Sequence, residues 1–167
     1  MAAPFTSHDP RKDIRSTIGT SGWDESIGDY YYLSITDNKG NTVKVPIFLS
    51  EELKTESIQE MPWIEMDLAL CTYEPHDVGA TTRKAEAYID ISVEFTNTDN
   101  IDSTSFGKKI IDEIINQVRT HQEACTFPET TTFVNVDDVR HQRENRAHQV
   151  AFKYIVTLYV LYYDLCC

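Results

Sequence analysis

Between Ala87 and Thr96 apolar and polar residues alternate without a break. Ile89, Ile91, Val93 and Phe95 fall on one side, and Tyr88, Asp90, Ser92 and Glu94 on the other. Period-two alternation with one polar side predicts a half-buried antiparallel strand. The next residues, NTDNIDSTS, supply a turn and two candidate N-caps, Asp102 and Ser103. The period then changes. From about Thr104 to Gln122, Phe106, Ile110, Ile111, Ile114, Ile115 and Val118 recur every three or four residues, a stripe wide enough for a helix to pack on a sheet. After Pro128, TTTFVNVDDV reads as another strand, and DVRHQRENRA over 138–147 as a charged connection. Gln149 to Asp164 is the longest strand signal. Val150, Phe152, Tyr154, Val156, Leu158 and Val160 share one side, and Ala151, Lys153, Ile155, Thr157, Tyr159, Leu161 and Tyr163 the other. Both sides turn apolar or aromatic toward its end. One should cover the helix and core, and the other is too apolar for a free surface.

The first half is patterned less clearly. Asp9 as N-cap, Pro10 at the first helical position and Gly19 as a stop predict a short helix, but only Ile14 and Ile18 give it an apolar stripe. The glycines at 19, 22 and 28 surround an isolated Trp23, so residues 1–28 read as an arm or a weakly docked segment that can anchor on a neighbour through that tryptophan. YYYLSIT, a turn at Asp37-Asn38-Lys39-Gly40, and NTVKVPIFL predict a hairpin over 29–49, with Pro46 marking an edge or a strand end. Pro62 opens WIEMDLALCTY, with Ile64, Met66, Leu68 and Leu70 expected on one side, followed by a polar connection from Tyr73 to Thr82. The expected architecture is α+β: an antiparallel β-sheet, one main amphipathic helix packed on it, an N-terminal helix and arm (1–28), and a single domain over 29–167 with its core in 62–165.

The 167 residues suit one domain that folds without disulfide staples, and four scattered cysteines point to a reducing compartment. No apolar run reaches the roughly 20 residues of a membrane span, and the N-terminus lacks the apolar segment of a signal peptide, so no membrane partner is expected. A net charge of −12, from 27 acidic and 15 basic residues, argues against a phosphate-gripping groove. It suits solubility, or a wall past which DNA slides without sticking.

Candidate chemistry is sparse. His76, His121, His141 and His148 lack ligand-spaced partners, and no CxxC, HExxH or glycine-rich phosphate loop occurs. Cys71 and His76 lie five apart without an identifiable oxyanion site. Asp90 and Glu94 share a strand face, as a nuclease pair would, yet the polar side of a half-exposed strand gives the same pattern. Cys166-Cys167 does not fit a prenylation signal. No catalytic residue, metal ligand or cofactor is therefore assigned. Arg140, Arg143 and Arg146, spaced to align on a helix or project from a loop, suit salt-bridged subunit contacts better than nucleic acid, given the interleaved acids. The tyrosines at 30–32, 159, 162 and 163 suit either core or interface. The candidate interface residues are Trp23, Arg140, Arg143, Arg146, Tyr159 and Tyr163.

The succession over residues 62–164 is a strand, a polar loop, AYIDISVEF, the helix FGKKIIDEIINQVR, a strand, an arginine-bearing loop and VAFKYIVTLYVLYYD. It resembles the tail terminator or tail-completion (neck) proteins of tailed bacteriophages and archaeal tailed viruses, with Arg83, Ile89–Phe95 and Phe152–Val160 in the corresponding places. The likeness covers about two thirds of the chain and leaves residues 1–60 outside it. It implies a virion protein made in the host cytoplasm. Such a protein forms a homo-oligomeric, hexameric ring that caps the tail tube, joins it to the head–tail connector and passes DNA through an acidic lumen. The alternatives are a small metal-dependent hydrolase or nuclease using Asp90, Glu94 and a histidine, and a module that binds peptides at its sheet edge.

Overall fold

The computed structural model describes residues 9–25, 27–37, 39–52, 62–75, 82–96, 103–128, 130–146 and 149–165. It is α+β. Helix α1 (Pro10–Ile18) is followed by strands β1 (Thr20–Asp24), β2 (Gly28–Thr36), β3 (Thr42–Leu49), β4 (Ile64–Pro75) and β5 (Thr82–Thr96). Helix α2 (Ser103–Glu123) and strands β6 (Thr131–Arg146) and β7 (Gln149–Leu165) complete it. The strands form one seven-stranded sheet in the order β1-β2-β3-β4-β5-β7-β6. Every neighbouring pair is antiparallel except β3 and β4, which run parallel where Ile47 to Leu49 meet Ile64 to Met66. That pairing starts only at Ile47, which leaves Pro46 at a local edge, where its missing N–H costs no ladder bond.

Both helices lie on one side of the sheet: α2 packs on β5, β6, β7 and β2, and α1 packs beside it on β1, β2 and β4. The predicted stripe of α2 is the buried one, with Phe106, Ile110, Ile111, Ile114 and Val118 all at most 4% exposed. Opposite them, Ile89, Ile91 and Val93 of β5 and Val156, Leu158 and Val160 of β7 are fully buried. Each such aliphatic side chain contributes roughly 1.5–3 kcal/mol by leaving water. The α2 C-terminus closes through Cys125, whose φ of 54° lets the Thr126 N–H reach the His121 carbonyl at 3.0 Å. The β2–β3 turn forms as its sequence predicts. The Asp37 carboxylate accepts from the backbone N–H groups of Asn41 and Lys39, which holds its carboxyl below the usual range, and Gly40 takes φ +83°.

Four expectations are corrected. Residues 10–24 are not a loose arm: β1 pairs along β2 from Thr20↔Tyr32 to Asp24↔Gly28, and Ile14 and Ile18 of α1 are buried. The main anchor is a charge that pattern reading overlooked. Arg11 is 8% exposed, bonds both carboxylate oxygens of Asp9 and both of Glu51, and donates to the Met66 carbonyl at 3.3 Å. Second, Leu70 does not share the side of Ile64 and Met66. A bulge between Leu68 and Leu70 shifts the register and leaves Leu70 54% exposed on the other side. Third, 138–147 is no loop as far as Arg146. β6 continues to the Arg146↔Gln149 pair, held by the β7 backbone. Fourth, the connection expected from Tyr73 to Thr82 is shorter, because β4 runs to Pro75 and β5 starts at Thr82.

Gly19 sits where α1 turns into β1. A Cβ there would lie 2.8 Å from the Arg15 carbonyl oxygen and 3.1–3.2 Å from Ile47 and Tyr31. The closest of these atoms is backbone and cannot swing away. We therefore expect Gly19→Ala to lower stability by about 1–3 kcal/mol; urea denaturation with an unchanged midpoint would show that the helix end moves freely.

Candidate functional site

The side of the sheet opposite the helices is covered by no described element. Cross-strand registers place its side chains in rows. Leu70 of β4 stands opposite Tyr88 of β5, Tyr88 opposite Tyr159 of β7, and Tyr159 opposite Asn135 of β6. The Tyr88 and Tyr159 rings are 5.3 Å apart, and Phe133 meets Tyr159 at 6.5 Å in an edge-on arrangement. Leu161, half-buried, lies beside Phe133 in the next row. Leu70 and Phe133 are 54% and 38% exposed. The result is an aromatic and aliphatic band across four strands, the kind of contiguous patch that marks an interaction surface. Partial desolvation, and then the hydrogen bond to Glu86, push the Tyr159 phenol above its ordinary range.

An acidic stretch adjoins the band. Asp67 faces Asp90 across β4 and β5, with Glu65 and Glu94 on the same side. Asp90 accepts a 2.6 Å hydrogen bond from the Thr157 hydroxyl, and Arg140 lies 3.6 Å from it and 3.2 Å from Asp138. This lattice ties β5, β7 and β6 together laterally. It gives Asp90 a structural partner, whereas Glu94 faces Lys153 across the sheet. Ile155 and Thr157 belong to this side too, yet are only 7% and 8% exposed, because the β5 and β6 side chains flank them.

The sequence-selected interface residues do not converge. Tyr159 is at the centre of the band, with Tyr163 on the same side of β7, opposite Lys84. Arg140 belongs to the acidic lattice. Arg143, three residues on along a strand, is on the helix side instead, with its guanidinium 6.0 Å from the Phe152 ring. Arg146 ends β6. Trp23, 69% exposed, is on the far edge of the sheet. The tyrosines are likewise dispersed. Tyr162 is buried, the Arg15 guanidinium lies over Tyr31, and Tyr30 and Tyr32 pack together at 5.7 Å on β2. Sequence reading missed Leu70, Tyr88 and Phe133, which join Tyr159 only through strand pairing.

The remaining candidate groups have local partners. The Cys71 thiol lies 3.0 Å from the Tyr162 hydroxyl, and His121 meets Thr126 at 2.5 Å beyond the end of α2. His141 stacks on Tyr154 at 4.5 Å and on Phe152 at 5.8 Å. His76, His148, Cys166 and Cys167 lie outside the described residues. Among the described residues, no three His, Cys, Asp or Glu side chains gather as a metal site, and no helix is long and apolar enough to cross a membrane. No protein-family model matches the chain, and no curated protein shows significant similarity to it.

Proposed function

We propose that this chain is a structural assembly protein of a tailed virus. It closes into a ring that ends the tail tube and joins it to the head–tail connector. The observation that carries this reading is the uncovered sheet face with its band of Leu70, Tyr88, Tyr159 and Phe133. A band of this kind is built to be buried against another protein. The adjoining carboxylates of Glu65, Asp67, Asp90 and Glu94, within a chain of net charge −12, suit a lumen that repels the phosphates of passing DNA. On this reading the band meets tube or connector subunits, the residues act through contact, and the protein resides in the neck of the virion.

Gel filtration coupled to light scattering, followed by negative-stain imaging with purified tail tubes, tests it. Rings, or single copies that gather as a ring on the tube end, are the expected result. A chain that ignores the tubes and hydrolyses a substrate with a divalent metal, losing that activity on Asp90→Ala, would sink the proposal.

A further inference from the structure

Four large apolar side chains are exposed among the described residues: Leu70, Phe133, Trp23 and Val139. The first two belong to the band, but Trp23 and Val139 do not. Trp23 is on β1 and Val139 on β6, the two opposite edges of the sheet. Both are on the helix side. Trp23 pairs with Asp29, two residues from Tyr31, over which the Arg15 guanidinium of α1 lies. Val139 pairs with the fully buried Val156.

Val139 lines a groove of about 250 Å³ between α2 and β6. Its apolar walls are Ile111, Ile115, Val139 and the Tyr154 ring. Lys108 and His141 stand at its rim with Asp112, and Arg143 follows on the strand. The edge carrying Trp23 has the opposite charge: Asp24, Glu25 and Asp29 are all exposed. The edge with the indole is acidic, and the groove's surroundings carry Lys108 and Arg143 against Asp112, a net positive charge that matches it in sign.

Resting on the ring reading above, we infer that the groove between α2 and β6 receives Trp23 of a second copy of this chain. The two halves of the contact occupy opposite edges and the same side of the sheet. The two halves are different surfaces of the chain, so the contact is heterologous and closes into a ring where the rotation that relates the copies allows. Burial of one tryptophan in such a groove removes on the order of 150–250 Å² from water, enough to anchor an otherwise polar edge contact.

Sedimentation velocity over a concentration series tests this with Trp23→Ala and Val139→Asp. Both positions are well exposed, and circular dichroism confirms that each variant folds. The wild type is expected to associate, and each variant to do so at least tenfold more weakly. Mixing the two variants should restore one contact only, giving a 1:1 dimer that grows no further. If the wild type associates and Trp23→Ala associates equally well, the contact is wrong while the ring reading stands. A wild type that remains a single copy at millimolar concentration also overturns the contact, and the ring reading is then judged on tail tubes.

Discussion

Replacing Arg11 with alanine is expected to lower the unfolding free energy by about 3 kcal/mol, and the melting temperature by about 6–12 °C for a chain of this size. The guanidinium is almost wholly buried. It links Asp9 at the start of α1 with Glu51 after β3, and donates at 3.3 Å to the Met66 carbonyl of β4. Removing it leaves two carboxylates side by side without their shared cation, while the Met66 carbonyl keeps the Ser50 N–H at 3.0 Å. The Glu51 side chain is 58% exposed and rehydrates, which puts the loss at the lower end of what a broken buried pair costs. A triple variant, Asp9→Asn, Arg11→Met and Glu51→Gln, removes the charges but keeps the stem, and should recover much of the loss.

The same pair predicts a pH dependence. The Arg11 hydrogen bonds hold the Glu51 carboxyl at about 2, below its ordinary 4.5. A depressed folded value means that the contribution is fully present above about pH 4.5 and is lost as pH falls toward 2. The stability gap between wild type and Arg11→Ala should therefore be constant above that window and narrow within it. Parallel curves from pH 6 to pH 2 would show that the pair is not what docks α1.

Arg11 also shows where sequence reading ends. The β5 and β7 faces and the α2 stripe were legible because each element buries one side against a continuous core, and burial writes a period into the residues. The docking of α1 was not legible, because its anchor joins residues 9, 11, 51 and 66 through a fold that local spacing does not encode. β1 offers only TSGWD, and its place in the sheet comes from backbone pairing with β2. β6 beyond Asp138 is an edge strand exposed through Arg143, so neither of its sides is selected to be apolar, and charge there read as loop. At Leu70 a single bulge inverted the parity of an otherwise regular strand. The candidate surface was half legible for the same reason. Tyr159 stood out on a strand too apolar for solvent, whereas Leu70 and Phe133 joined it only once a bulge and an edge pairing were known.

Substituting aspartate at both Leu70 and Phe133 is expected to weaken binding to tail tubes or connector at least about 30-fold, since central apolar anchors of an interface carry 2 kcal/mol or more. Both side chains are already partly in water, at 54% and 38% exposure, so folding should lose about 1 kcal/mol or less at each position. The new carboxylate at position 70 would adjoin Asp67, and both would have to be desolvated on docking, which adds to the effect. Co-sedimentation with purified tubes, alongside a melting curve for each variant, reads both quantities. Lys84→Ser, at the end of the same face opposite Tyr163, serves as the control and should change binding severalfold at most. Equal binding by the double variant and the wild type would mean that the aromatic band does not contact the tail. A band so apolar, with no described element over it, would then need another protein to cover it.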